Sequence, residues 1–252
     1  MTTVLVTGGS GVLGRAIVPV LRGSGADVRV LSRRADGSPG ECRGDLLTGD
    51  GLAQALSGVS TVIHAASQPS HPAADVTMTR TLLDAARAAG VGHLVYVSIV
   101  GCDQVRALPY YRAKTQAEAL VAAGGVPFTV IRATQFHEFV AFLLSRAARW
   151  PLLPLPALPM QPVEVGAAAQ QVAGVALGAP LGRAPDVVGP AVLTLPELAR
   201  TWSAATGRPL RTLPLPVGQL FTPLIRPELP GVGRSWADWL AQQSTRPNAY
   251  AL

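Results

Sequence analysis

The sequence predicts an α/β protein, a doubly wound parallel sheet followed by a small C-terminal cap. Three observations carry this expectation. Apolar runs of strand length alternate with segments of helical length through about residue 134, the pattern of successive βαβ units. A glycine-rich loop separates the first run from the first helical segment. Beyond residue 134 the alternation gives way to proline-rich connectors. Of the 252 residues, 48% are hydrophobic and 14% charged, which excludes a disordered chain and supplies a large core.

In order, Thr2–Thr7 (TTVLVT) is β-branched and reads as a strand, and the apolar-periodic segment Val12–Leu21 as the helix after the glycine loop. Ala26–Leu31 alternates like a strand and ends at Ser32-Arg33-Arg34. Ser60–Ala65 is a third apolar run. Ala73–Gly90 is alanine-rich, with charges at Asp75, Arg80, Asp84 and Arg87, and reads as a helix closed by Gly90. His93–Ser98 is another strand. Tyr110–Ala123 follows as a helix, with Pro109 near its first position and Gly124-Gly125 past its end. Val126–Arg132 completes the series. Further on, Phe136–Trp150 reads as a helix, while Pro151–Pro162 carries five prolines and is expected to be an irregular loop or hairpin. Gly166–Leu177, Leu195–Thr206 and Arg234–Gln243 are expected helices.

Several function classes fall away on composition. The longest uncharged stretch, Gly51 to Ala74, contains two prolines, two glutamines and two histidines, so no spanning helix is expected. Met1 leads directly into a strand-like run, so no secretory leader is expected either. Two cysteines, Cys42 and Cys102, suit a reducing cytosol. The net charge of +6 is spread evenly: residues 1–150 hold 14 basic and 10 acidic side chains, and 151–252 hold 7 and 5. No basic run exceeds the Arg33–Arg34 pair, so nucleic acid is not an expected partner. His64 and His71 have no Cys or carboxylate at ligand spacing, and no metal is expected.

The chemistry sits in a few motifs. Thr7-Gly8-Gly9-Ser10-Gly11-Val12-Leu13-Gly14 joins the first strand to the first helix. Glycines at such a turn let backbone N–H groups at a helix N-terminus approach a pyrophosphate. From Gly9 the spacing is G-x-G-x-x-G, and from Gly8 it is G-x-x-G-x-x-G; the strand–loop–helix setting gives the motif its weight. At the end of the second strand an acid would bond an unphosphorylated ribose, whereas arginine accommodates a 2′-phosphate. Ser32-Arg33-Arg34 stands there, with Asp36 the nearest acid, so NADP is expected over NAD. Of the 21 basic residues, 20 are arginines and Lys114 is the single lysine, a compact donor whose pKa shifts readily.

These motifs, in this order, resemble the short-chain dehydrogenase/reductase superfamily and, within it, the atypical, NmrA-like branch of NAD(P)H-binding proteins. The resemblance covers about residues 1–140. It implies a Rossmann-like domain over 1–134 and a smaller substrate-binding cap over 135–252, forming a cleft at the carboxyl ends of the strands. It implies cofactor contacts from Thr7, Gly8, Ser10, Gly11, Val12, Leu13 and Gly14 of the loop, and from Ser32, Arg33 and Arg34. Gly44-Asp45-Leu46 is similar to the segment after the third strand, which assigns Asp45 and Leu46 to the adenine. His64-Ala65-Ala66-Ser67 resembles the stretch after the fourth strand, which sets Ala65, Ala66 and Ser67 along the cofactor. Arg132–His137 stands where the loop after the sixth strand faces nicotinamide and substrate, which adds Thr134.

Tyr110-Tyr111-Arg112-Ala113-Lys114 supplies the family's Y-x-x-x-K spacing, which puts Tyr110 and Lys114 on one helical face. The lysine would hold the nicotinamide ribose and lower the pKa of the phenol, making Tyr110 a general acid. Tyr111 is the alternative. The pattern departs at Ser98-Ile99-Val100-Gly101, where Val100 replaces the family's carbonyl-orienting hydroxyl and leaves Ser98 to serve from a shifted place. His137 and Glu138 either meet a substrate or, for Glu138, complement the helix dipole. Cys102 is expected as a small buried residue, and Trp202, Trp236 and Trp239 as core anchors.

The implied activity is hydride transfer from NADPH to a carbonyl or quinone-like compound. The rival is an NADP(H)-binding redox sensor without turnover. A sugar-nucleotide epimerase or dehydratase is a third reading, disfavoured by a short C-terminal portion without a basic cluster. The expected partner is a small-molecule substrate, with no membrane, and a homodimer is the assembly the sequence allows.

Overall fold

The computed structural model describes residues 2–35, 37–150, 152–215 and 219–243. The chain begins with β1 (Thr3–Thr7), α1 (Val12–Gly23), β2 (Asp27–Ser32), β3 (Glu41–Arg43), α2 (Leu52–Leu56) and β4 (Thr61–His64). There follow α3 (Pro72–Ala88), β5 (His93–Ile99), α4 (Pro109–Ala123) and β6 (Phe128–Ala133). The remainder holds α5 (His137–Ala147), β7 (Leu153–Pro156), β8 (Pro159–Met160), α6 (Val165–Leu177) and β9 (Gly182–Arg183). It closes with β10 (Leu193–Thr194), α7 (Leu195–Thr206), β11 (Thr212–Leu215), a short 3-10 turn at Gln219–Leu224 and α8 (Trp236–Gln243).

Seven parallel strands form one sheet in the order β3-β2-β1-β4-β5-β6-β9, the doubly wound topology expected. β1 and β4 are buried because both faces of a parallel sheet are covered, and their sequences (VLV, TVIH) are correspondingly apolar without alternation. The order reverses between β1 and β4, so the loops leaving these two strands lie side by side. That switch point is where an open α/β sheet binds its ligand.

The chain groups into two compact units, Met1–Arg132 with Ala169–Pro185, and Ala133–Ala168 with Asp186–Leu252. In the first, Leu5, Val62 and Leu94 of the sheet pack with Leu52, Leu56, Leu82 and Val121 of α2, α3 and α4. Fully burying one such side chain contributes roughly 1.5–3 kcal/mol. In the second, Val140 and Leu144 of α5 pack with Leu198 and Trp202 of α7 and with Trp236 and Trp239 of α8. The two α8 tryptophans are stacked, with centroids 5.4 Å apart, and Trp236 Nε1 donates to the Leu198 carbonyl at 3.1 Å. α7 opens on a capping box between Thr194 and Glu197.

The segment Pro151–Pro162 is not a hairpin. β7 and β8 do not pair with each other: β7 runs parallel to β11 and β8 antiparallel to β10. Proline cannot donate to a ladder, which confines these strands to short two-stranded pairings. β3 is expected only through the resemblance that sets Gly44 after a third strand, and α2, β9, β10 and β11 were not expected from the sequence. Most span two to four residues, too short for a periodic signal.

Candidate active site

The glycine loop is shaped by packing. Gly8 has a φ of 72°, a left-handed conformation, and a Cβ there would meet the Ala66 nitrogen at 2.6 Å. A Cβ on Gly14 would stand 2.2 Å from the Gly8 carbonyl oxygen. The loop is thereby drawn flat against the β4 exit and brings α1 hard up to β1. Gly11 is the N-cap of α1; no side chain caps the helix and its first turn holds no acid, so its N-terminal dipole faces outward unneutralised. Ser10 and Gly11 are exposed, while Leu13 is turned into the core.

The other expected cofactor residues differ in how free their side chains are. Thr7 is buried, its Oγ1 2.8 Å from His64 Nδ1, so its side chain belongs to an internal network. His64 Nε2 lies 3.2 Å from Thr79 Oγ1, whose proton goes to the Asp75 carbonyl at 2.8 Å. His64 therefore carries its proton on Nε2 and accepts from Thr7. Burial, aided by the Lys114 charge, lowers its pKa to about 3. Ser32 Oγ accepts the Arg34 backbone N–H at 3.1 Å, and Arg33 and Arg34 are exposed with no ion pair among the described residues. Asp36 lies outside the described residues. Asp45 Oδ1 accepts the Leu47 N–H at 2.8 Å and pins the turn after β3, whereas Leu46 is in the core. Thr134 is buried, and its Oγ1 donates to the Gln161 carbonyl at 2.6 Å.

Tyr110, Lys114 and Ser67 are brought together, with a fourth group that sequence reasoning did not single out, Asp75. Pro109 starts α4, putting Tyr110 in its first turn and Lys114 one turn on. Ser67 Oγ is 2.8 Å from the Tyr110 hydroxyl and donates to Asp75 Oδ2 at 2.6 Å. Asp75 Oδ1 accepts the Gln68 N–H at 2.6 Å. Lys114 Nζ stands 3.6 Å from Asp75 Oδ2 and 3.5 Å from the Val97 carbonyl, with side-chain exposures of 5% and 2% for the two charges. It also lies 5.0 Å from the Tyr96 ring centroid and 5.7 Å from that of Tyr110. Burial lowers the Lys114 pKa, and Asp75 opposes the shift. Burial raises that of the neighbouring Tyr111. Asp75 could have been found: it lies at i−3, i−4 and i−7 to Met78, Thr79 and Leu82, the buried face of α3.

Ser98 has Cys102 beside it. It is buried with its Oγ 3.7 Å from Cys102 Sγ, and Cys102 in turn donates to Glu118 at 3.6 Å. Burial, then Glu118, raises the Cys102 thiol pKa. Val100 is fully buried. Arg132 forks onto Glu118 (2.8 and 2.6 Å) and reaches Asp103 at 2.9 Å. In the second unit, His137 Nε2 donates to the Pro162 carbonyl at 3.0 Å, and burial lowers its pKa to about 4. Burial raises Glu138 to about 7.

A parallel sheet whose switch point presents a glycine turn and an uncapped helix N-terminus defines a dinucleotide-binding protein. The residues present fit such a ligand: the flattened loop admits a pyrophosphate, two exposed arginines end β2, and one lysine stands beside a tyrosine. The chain matches the NAD(P)H-binding family over residues 8–139. It is 30% identical over 261 residues to the (4-alkanoyl-5-oxo-2,5-dihydrofuran-3-yl)methyl phosphate reductase of Streptomyces griseus subsp. griseus, covering 98% of this chain and 89% of that protein. The photosystem II assembly factor Ycf39 of Cyanophora paradoxa is 29% identical over 148 residues, 54% of this chain but only 46% of that one. Among solved structures, the NADPH-dependent quinone oxidoreductase of Escherichia coli, complexed with NADPH, superposes with a TM-score of 0.75 at 17% identity, over 95% of this chain and 99% of that one. Other structures of the same fold hold NAD. The chain belongs to the NAD(P)H-binding family. No helix among the described residues is long and apolar enough to cross a membrane.

Proposed function

We propose that the chain is an NADPH-dependent reductase of a carbonyl or quinone-like small molecule. The observation that carries this reading is the Tyr110–Lys114 pair on one turn of α4, beside Ser67 of the β4 exit. Bound at the glycine loop, the dihydronicotinamide supplies a hydride. Arg33 and Arg34 pair with the 2′-phosphate, the α1 N-terminus receives the pyrophosphate, and Lys114 faces the ribose. Tyr110 gives its proton to the substrate oxygen. Dinucleotide binding is assigned to the first unit and substrate choice to the second. The near-complete match to a phosphate-ester reductase supports a reductive role.

One observation favours the sensor reading. Ser98 is turned to Cys102 and Val100 is buried, so the tip of β5 offers no second hydroxyl. Titration of the purified protein with NADPH and NADH, followed by NADPH oxidation against a panel of quinones and aldehydes, separates the two. In the reductase, Arg33→Ala/Arg34→Ala weakens NADPH at least tenfold, leaves NADH within about threefold, and NADPH is steadily consumed. Binding without any oxidation supports the sensor, and no binding of either nucleotide removes both.

A further inference from the structure

The hydrogen bonds around Ser67 have a direction. A carboxylate only accepts, so the single Ser67 proton goes to Asp75 Oδ2 at 2.6 Å, and the Ser67 oxygen must accept from Tyr110 at 2.8 Å. Lys114 Nζ stands 3.6 Å from the same Asp75 oxygen. Tyr110, Ser67, Asp75 and Lys114 thus stand in single file, with the last two largely buried. Neither a ribose clamp nor a direct effect of lysine on the phenol requires a carboxylate here. Asp75 in fact offsets the charge that would act on Tyr110. The other titratable groups facing this file are His64 of β4, Tyr96 of β5, Cys102 in the turn after β5 and Glu118 of α4, with Tyr111 beside Tyr110.

Resting on the reductase reading, we propose that Asp75 is a positioning residue that resupplies the Tyr110 proton through Ser67, with the Lys114 ammonium as the store. When the substrate oxygen takes the phenol proton, the Ser67 hydroxyl turns from Asp75 Oδ2 to the Tyr110 oxygen at 2.8 Å and gives up its proton there. Ser67 is refilled through Asp75 Oδ2, and Asp75 from Nζ. One N–H bond is lost at Lys114 and one O–H bond gained on the product; Tyr110, Ser67 and Asp75 end as they began. Lys114, whose ammonium is destabilised by burial, regains its proton from solvent.

The test reads the phenol directly as well as turnover. In the free protein, the ultraviolet titration of wild type minus Tyr110→Phe isolates the Tyr110 phenol. In Asp75→Asn the carboxylate is gone and Lys114 is uncompensated, so the phenol should titrate at least about one unit lower. Ser67→Ala keeps the ion pair and cuts the file: turnover at saturating NADPH should fall about 10–100-fold, and its pH profile should change. An unmoved phenol in Asp75→Asn overturns the proposal, as does Ser67→Ala with wild-type turnover and pH profile. Should Asp75→Asn not fold, Ser67→Ala decides alone. If wild type fails to oxidise NADPH, the reductase reading fails, while the phenol titration still shows whether Asp75 governs Tyr110.

Discussion

Helix α4 carries two charges one turn apart, the buried Lys114 and the partly buried Glu118, and they are held in opposite ways. Glu118 takes two arginine N–H groups at 2.8 and 2.6 Å, and Asp103 takes a third at 2.9 Å. Although burial pushes the Glu118 carboxyl up, Arg132 outweighs it and holds its pKa below the usual range. Lys114 has its carboxylate at 3.6 Å, a carbonyl at 3.5 Å and two aromatic faces, and burial outweighs Asp75. The first arrangement is saturated and tight, as a charge pair that fastens α4 to β6 must be. The second is loose and adjoins a phenol. A buried charge that must exchange a proton cannot also be pinned by short ionic bonds.

The contrast breaks most readily on the tight side. Arg132→Ala removes all three short ionic bonds and leaves the partly buried Glu118 with only Arg183 at 3.9 Å and the Cys102 thiol at 3.6 Å, and the unfolding free energy should drop by about 3–5 kcal/mol in denaturant titration. On the loose side, Tyr110→Phe should reduce turnover about 10²–10⁴-fold while stability changes by less than ~1 kcal/mol, checked by steady-state kinetics and a melt. His64 reports on Lys114 through pH. Its folded pKa of about 3 lies below the unfolded value near 6.5, so the unfolded state binds the extra proton and stability falls as pH drops from 6.5 toward 3. Between pH 7 and 4 that loss should be on the order of 2–3 kcal/mol, absent in His64→Asn and smaller in Lys114→Met, measured by denaturant unfolding across pH. The smallest effect is the sharpest comparison. Lys114→Met leaves Asp75 with Ser67 and the Gln68 N–H, so its stability loss should be about 1–2 kcal/mol, well below that of Arg132→Ala. Equal losses would erase the distinction between the two charges.

What the sequence shows of this site is what local spacing can carry. Gly8 to Gly14, Arg33–Arg34 and Tyr110–Lys114 are each contained in one loop or one helical turn, and β1, β4, β5 and β6 are long enough to show as apolar runs. Asp75 is different: its partners Ser67 and Lys114 come from the β4 exit and from another helix, and in sequence it is one charge among four on an alanine-rich segment. The contact of Ser98 with Cys102 is likewise visible only in the fold. β9 and β10, at two residues each, have no period to detect.

The return of residues 169–185 to the first unit has a consequence for inheritance. Thr129 and Val130 of β6 take Gly182 and Arg183 of β9 as their ladder partners. A chain ended after Ala133, or given a foreign tail there, would leave β6 as a bare sheet border inviting intermolecular pairing. The two units are therefore not beads that recombination can restring at one joint. A swap that respects this lineage must carry the β9 strand with the dinucleotide half.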